Sequence, residues 1–286
     1  MLETTATTAW RGFPAATTMI PPAIVLVLCL VPSLVPRPAL APASLAHPRA
    51  QSTQNPDERP EVKTLIDELA THVKAKGEKD AEAIGVLDKL VQQFPNSGPK
   101  DRVAIVKAVS DCFDAKRVKE LEQGVPDDRL YQAAATALGV MGPESVKSLT
   151  ALIGDKNHRK NLRLQQRLAL SLGKTKSADG LKTLLMLLKN KDAPMQAAGA
   201  EALANFFDVD LETRKTIFEE LLKTLMDQKA KKDNVTDLEA QERWNTISGP
   251  LMETLQKLSG HTEADPEQWQ RWWNDNKKKD WATKAG

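Results

Sequence analysis

One helix ending recurs three times in the middle of this 286-residue chain. It reads Ala135-Thr136-Ala137-Leu138-Gly139, then Ala169-Leu170-Ser171-Leu172-Gly173, then Ala200-Glu201-Ala202-Leu203-Ala204, at spacings of 34 and 31 residues. Each copy puts Ala three positions before the key Leu and a small residue just before it, and a Leu-rich amphipathic segment follows. Such a period, filled by two helices per unit, marks a stacked repeat in which no unit buries its apolar face alone. The predicted fold is all-α: a right-handed α-solenoid of stacked antiparallel helix pairs.

The flanks carry the same helical spacing. Val62, Leu65, Ile66, Leu69 and Val73 share one helix face, as do Ile84, Leu87, Leu90, Val91 and Phe94, and then Val103, Val106, Val109 and Phe113. The repeats predict helices near 127–140 and 143–153, 161–173 and 177–188, and 193–207 and 210–227. Leu149, Leu152, Leu184, Leu188, Leu221 and Leu225 are expected between the layers. A polar insertion is expected at 228–234, and a capping box at 236–239 opens the next helix. Ser248-Gly249-Pro250 is expected to split that stretch into a further pair, and Asp265-Pro266 to start a last helix. No run in this region alternates like a strand, so everything from Pro60 onward is expected to be helical, with essentially no sheet.

The first sixty residues differ. An apolar run from Ala23 to Val31, fenced by prolines, precedes the small-x-small ending Ser44-Leu45-Ala46. Nine residues are too few to cross a bilayer. Together these features read as a secretory signal peptide at 1–46, cleaved near Ala46, giving an exported, periplasmic or extracellular protein with no transmembrane span. Residues 47–59 have no apolar periodicity and read as a disordered linker. The solenoid is then expected over 60–260, closed by a Trp-rich helix and tail at 261–286.

Setting aside Glu3, Arg11 and Arg37 leaves 38 of the 40 basic and 37 of the 38 acidic residues. A balance this even gives no electrostatic footprint for nucleic acid. Cys112 alone remains of the two cysteines, so no internal disulfide forms, and its place beside Val109 and Phe113 reads as a buried, inert thiol.

Ala137-Leu138-Gly139, Gly142 and Leu149 resemble the short HEAT repeats also found in phycobilisome lyase subunits. The resemblance covers roughly residues 100 to 230 and implies the paired-helix fold. Asp265-Pro266, Trp269, Trp272 and Trp273 resemble the tails that close other exported bacterial HEAT-repeat proteins. HEAT-repeat hydroxylases hold di-iron with His-Glu pairs, whereas His47, His72, His158 and His261 are followed by Pro, Val, Arg and Thr. No catalytic, cofactor or metal residue is assigned.

Two clusters stand out as candidate surfaces. Lys156, His158, Arg159, Lys160, Arg163 and Arg167 surround the start of a helix expected to be capped by Asn161. Cations oppose the dipole there unless an anion is bound, so Arg159, Lys160, Arg163 and Arg167 form a candidate anion or partner site. Trp269, Trp272 and Trp273 form one aromatic face, read first as a lid on the last repeat and second as a partner-binding or sugar-stacking patch. The leading functional expectation is a non-enzymatic scaffold that binds a protein or peptide on a concave face built by the second helix of each pair. The alternatives are an anion or nucleic-acid binder using 156–167, and, by resemblance alone, a lyase-like accessory enzyme.

Overall fold

The computed structural model describes residues 55–115, 120–122 and 125–281. The expected signal peptide and residues 47–54 of the expected linker lie outside these. Eleven α-helices form the described part: α1 (Pro60–Lys74), α2 (Asp80–Gln93), α3 (Pro99–Asp111), α4 (Arg129–Val140), α5 (Val146–Leu152), α6 (Leu162–Lys174), α7 (Ala178–Leu187), α8 (Ala193–Leu203), α9 (Leu211–Lys232), α10 (Leu238–Ser259) and α11 (Pro266–Asn276). One antiparallel pair, β1 (Glu120–Glu122) with β2 (Val125–Pro126), departs from the all-helical expectation. A proline at 126 is unfavourable in a helix interior and tolerated at a strand end.

The helices form two layers. In one, α2, α4, α6, α8 and α10 pack side by side in chain order; α1, α3, α5, α7 and α9 cover them, and α11 packs on α9. The key Leu138, Leu172 and Leu203 and their partners Ala135, Ala169 and Ala200 are all fully buried. Five of the six leucines expected between the layers are buried, and Leu152 is half-buried. Each buried Leu stabilises the fold by about 1.5–3 kcal/mol relative to exposure. Helix α8 is buried over nearly its whole circumference, held among α6, α7 and α10, as a helix apolar on every side must be.

The small residues of the repeat set the helix spacing. A Cβ placed on Gly139 of α4 would lie 2.9 Å from the Ser171 Cβ of α6, and one on Gly173 of α6 would run into the Ala202 carbonyl oxygen of α8. The glycine closing one copy therefore meets the small residue preceding the key Leu of the next copy.

Local capping chemistry sets many helix starts. The side chains of Asn161, Asp210, Asp237 and Asp265 accept the backbone N–H groups of Leu164, Thr213, Ala240 and Gln268 respectively. Asp237, not Thr236, is thus the residue that caps α10. Gly260, at φ 69°, ends α10 in the left-handed conformation that favours glycine.

Three expectations require correction. Helix α10 runs unbroken from Leu238 to Ser259 through Pro250. The proline removes one N–H, but Ile247, Leu251 and Leu255 are buried on both sides of it, and this packing holds the helix together. Residues 228–232 are a helical extension of α9 and not an inserted loop; Lys229 there pairs with Asp233 one turn on and with Glu267 of α11. Finally, residues 55–59 of the expected disordered linker are hydrogen-bonded to the chain around the start of α3. Gly98 N–H donates to the Pro56 carbonyl at 3.0 Å, and the Asp57 carboxylate accepts the N–H groups of Lys100 and Asp101.

Candidate partner-binding surface

The layer of α2, α4, α6, α8 and α10 is the more extensively packed of the two, because glycine, alanine and serine line its helix contacts. Where α2, α4 and α6 meet, its outer face carries a groove of about 410 Å³. Val91, Ala133, Ala137 and Val140 supply apolar lining, and Asp88 of α2 and Arg167 of α6 supply opposite charges. Val140 is 61 % exposed, an unusual position for a β-branched apolar side chain at the end of a buried helix.

Charge along this layer is uneven. Arg163 and Arg167, four residues apart, share one face of α6; both are exposed and neither forms an ion pair with a described residue. Further along, Glu201 of α8 lies near Glu253 and Lys257 of α10. Partial burial and the Glu253 carboxylate push the Glu201 carboxyl above its ordinary value, against the opposing pull of Lys257.

The basic cluster divides. His158 is buried, its Nε2 lies 2.9 Å from the Phe113 carbonyl, and its ring meets Phe113 and Tyr131 edge-on, so it is a packing residue. Arg159 and Lys160 are exposed on the turn before α6, and Arg163 and Arg167 lie on the helix. The start of α6 is already served from within. Asn161 takes the Leu164 N–H and donates its own amide to the buried Asp128 carboxylate at 3.0 Å. Asp128 thus brings a negative charge to the positive end of the helix.

The tryptophans gather around one phenylalanine. Phe218 of α9 lies with its ring centre 5.1–5.8 Å from those of Trp269, Trp272, Trp273 and Trp281. Trp269, Trp273 and Trp281 are buried; Trp272 is half-buried and stacks on His261, which is 2.7 Å from Glu263. Three of the four rings are therefore spent internally on sealing α9.

Cys112 is fully buried, and Gly173-Lys174-Thr175 is the end of α6. Among the described residues no three His, Cys, Asp or Glu side chains are grouped to hold a metal ion, and no helix is long and apolar enough to cross a membrane. The groove was invisible to sequence reasoning because its walls come from three helices; the single apolar residue at position 140, beyond the buried Leu138, was its only trace.

Comparison with known proteins gives one match. Residues 115–204 match the family described as HEAT repeats. No curated protein and no solved structure matches the chain.

Proposed function

Residues 115–204 match HEAT repeats, and from that match we propose that the chain is a non-enzymatic scaffold that binds a protein or peptide partner. The binding face is the layer of α2, α4, α6, α8 and α10. This assigns it to the first helix of each repeat pair, where the sequence reading favoured the second, because this layer carries the groove between α2, α4 and α6. The observation that carries the reading is the α2–α4–α6 groove, with its exposed Val140 over an apolar floor and Arg167 at its edge. An apolar anchor flanked by an acidic side chain suits it, the acid meeting the unpaired Arg163 and Arg167. The apolar run at 23–31 and the Ser44-Leu45-Ala46 ending support export, with cleavage near Ala46.

The test is site-specific photo-crosslinking from the source organism's envelope fraction. Val140 and Met186 are similarly exposed, at 61 % and 66 %, but lie on opposite layers. A photo-reactive residue at Val140 is expected to trap a discrete partner that Val140→Glu releases, while the same residue at Met186 traps none. Trapping from Met186 alone would return the binding face to the other layer, and trapping from neither would end the scaffold reading.

A further inference from the structure

The shape of the α2–α4–α6 groove limits the form of whatever lies in it. Gln132, Ala133, Thr136, Ala137 and Val140 follow one another along a single face of α4, so the groove runs with that helix for about 12 Å at the ordinary rise per residue. Asp88 and Val91 of α2 form one wall, and Arg167 of α6 stands on the other. Every residue lining it belongs to a helix, so a partner chain cannot join there by extending a sheet.

The uncharged polar side chains of this surface are already engaged. The Thr136 hydroxyl donates to the Gln132 carbonyl one turn back at 2.9 Å, and the Gln132 side-chain amide donates to the Asp128 carboxylate at 2.9 Å. Val91, Ala133, Ala137 and Val140 offer only carbon, and the main chain beneath them is bonded within its own helices. An extended segment laid along the groove would therefore bury main-chain N–H and C=O groups against carbon with nothing to pair them, which is costly. A helix carries its main-chain hydrogen bonds with it.

We propose that the partner enters this groove as an amphipathic helix, lying over α4 between α2 and α6; this rests on the groove being the binding site, as argued above. The volume of about 410 Å³ takes the side chains of one helix face and not the helix itself. Ala133 and Ala137, four residues apart, leave a shallow channel along α4 that apolar side chains at helical spacing can fill, with the exposed Val140 packing at its end. Arg163 and Arg167 fix which way the occupant faces. They are exposed one turn apart on α6 without an ion pair to a described residue, so acidic residues one turn apart on the occupant's near flank meet them, while Asp88 keeps acidic side chains off the opposite flank.

The test screens two synthetic peptide libraries of equal length against the full-length chain: one held helical by a lactam bridge and randomised on the opposite face, the other linear with a central proline. Binders kept by the parent chain and lost by Val140→Glu are expected from the helical library, with apolar residues at helical spacing beside acidic residues one turn apart. Arg163→Ser combined with Arg167→Ser, at exposed positions that spare the fold, should weaken them about tenfold, and so should a proline placed in the middle of a selected binder. Binders that depend on Val140 but come from the proline library alone would overturn the helix and leave the groove as the binding site. Binders from neither library, or helical ones indifferent to Val140→Glu and to the arginine variant alike, would overturn it too. The groove itself is judged separately by photo-crosslinking at Val140, which uses neither library.

Discussion

Asp57 and Asp101 cap each other's backbone across 44 residues of sequence. Asp57 Oδ1 accepts the N–H groups of Lys100 at 2.8 Å and Asp101 at 3.2 Å, while the Asp101 carboxylate accepts those of Glu58 at 2.9 Å and Arg59 at 3.2 Å. Helix α3 has no capping side chain at Gly98, and Asp57 fills that role from outside the helix. A Cβ at Gly98 would collide with Asp57 Oδ1. Asp57→Ala is expected to cost about 0.5–2 kcal/mol, the usual loss for a cap. Gly98→Ala should cost at least as much by displacing the carboxylate, and thermal melts of both variants check this. A double variant no worse than the poorer single would show that they act on one contact.

Glycine-to-alanine substitutions should change sign with position. At Gly85 of α2 and Gly249 of α10 nothing lies within 4 Å of where a Cβ would stand, so alanine there should stabilise by about 0.5–1 kcal/mol through helix propensity. At Gly173 the obstacle is the Ala202 backbone, which cannot swing aside, and the overpacking cost of about 1–3 kcal/mol should exceed that gain. Denaturant midpoints for the three variants decide it; a stabilised Gly173→Ala would mean that α6 and α8 can separate freely.

Phe218 should be the costliest truncation at the C-terminal end. Four tryptophan rings surround it and it is fully buried, so Phe218→Ala should lose about 3–5 kcal/mol. Trp272→Ala should lose much less, because that ring is half-buried. Near-ultraviolet circular dichroism reports the tryptophan environment directly and should collapse in the first variant only.

Arg159, Lys160 and Arg163 oppose the dipole of α6, so replacing all three by Ser should raise stability by a few tenths of a kcal/mol per residue. A polyphosphate titration of both proteins separates the two uses of these side chains. Equal, weak binding would leave them as a solvated basic surface, and a steep loss in the variant would revive the anion site.

Glu201 supplies a pH test. Its carboxyl is raised in the fold by partial burial and by Glu253. The stability it contributes is therefore complete below its unfolded value, near pH 4, and is lost as pH rises through the higher folded value. Glu201→Gln should melt above the parent chain at pH 7, and the difference should vanish below about pH 4. A difference that widened with acid would reverse the assignment.

What the sequence disclosed was local or periodic. Asn161 and Asp265 were readable as caps because the residue and the N–H it accepts are three apart. The buried Leu138, Leu172 and Leu203 were readable because their spacing repeats. Pro250 misled because the rule that proline breaks helices is local, whereas Leu251 and Leu255 are held by other helices. The Asp57–Asp101 pair and the groove beside Val140 join residues with no shared period, so no pattern announced them. The basic cluster was legible as charge but not as geometry, since burial of His158 depends on Phe113 and Tyr131 from elsewhere in the chain.

The contact of each closing glycine with the next copy's small residue also governs how such an array can grow. A duplicated unit of 31 or 34 residues brings its own glycine and its own small residue, so it can be inserted between existing copies and be matched at both ends. The third copy ends in Ala204 instead of glycine. The helix that follows in the layer, α10, belongs to no copy of the motif and crosses α8 through Thr254, whose hydroxyl donates to the Ala200 carbonyl at 2.9 Å. Duplication ahead of Ala204 would therefore reproduce the glycine–small-residue contact, whereas a unit added after it would meet an alanine where the earlier copies offer glycine.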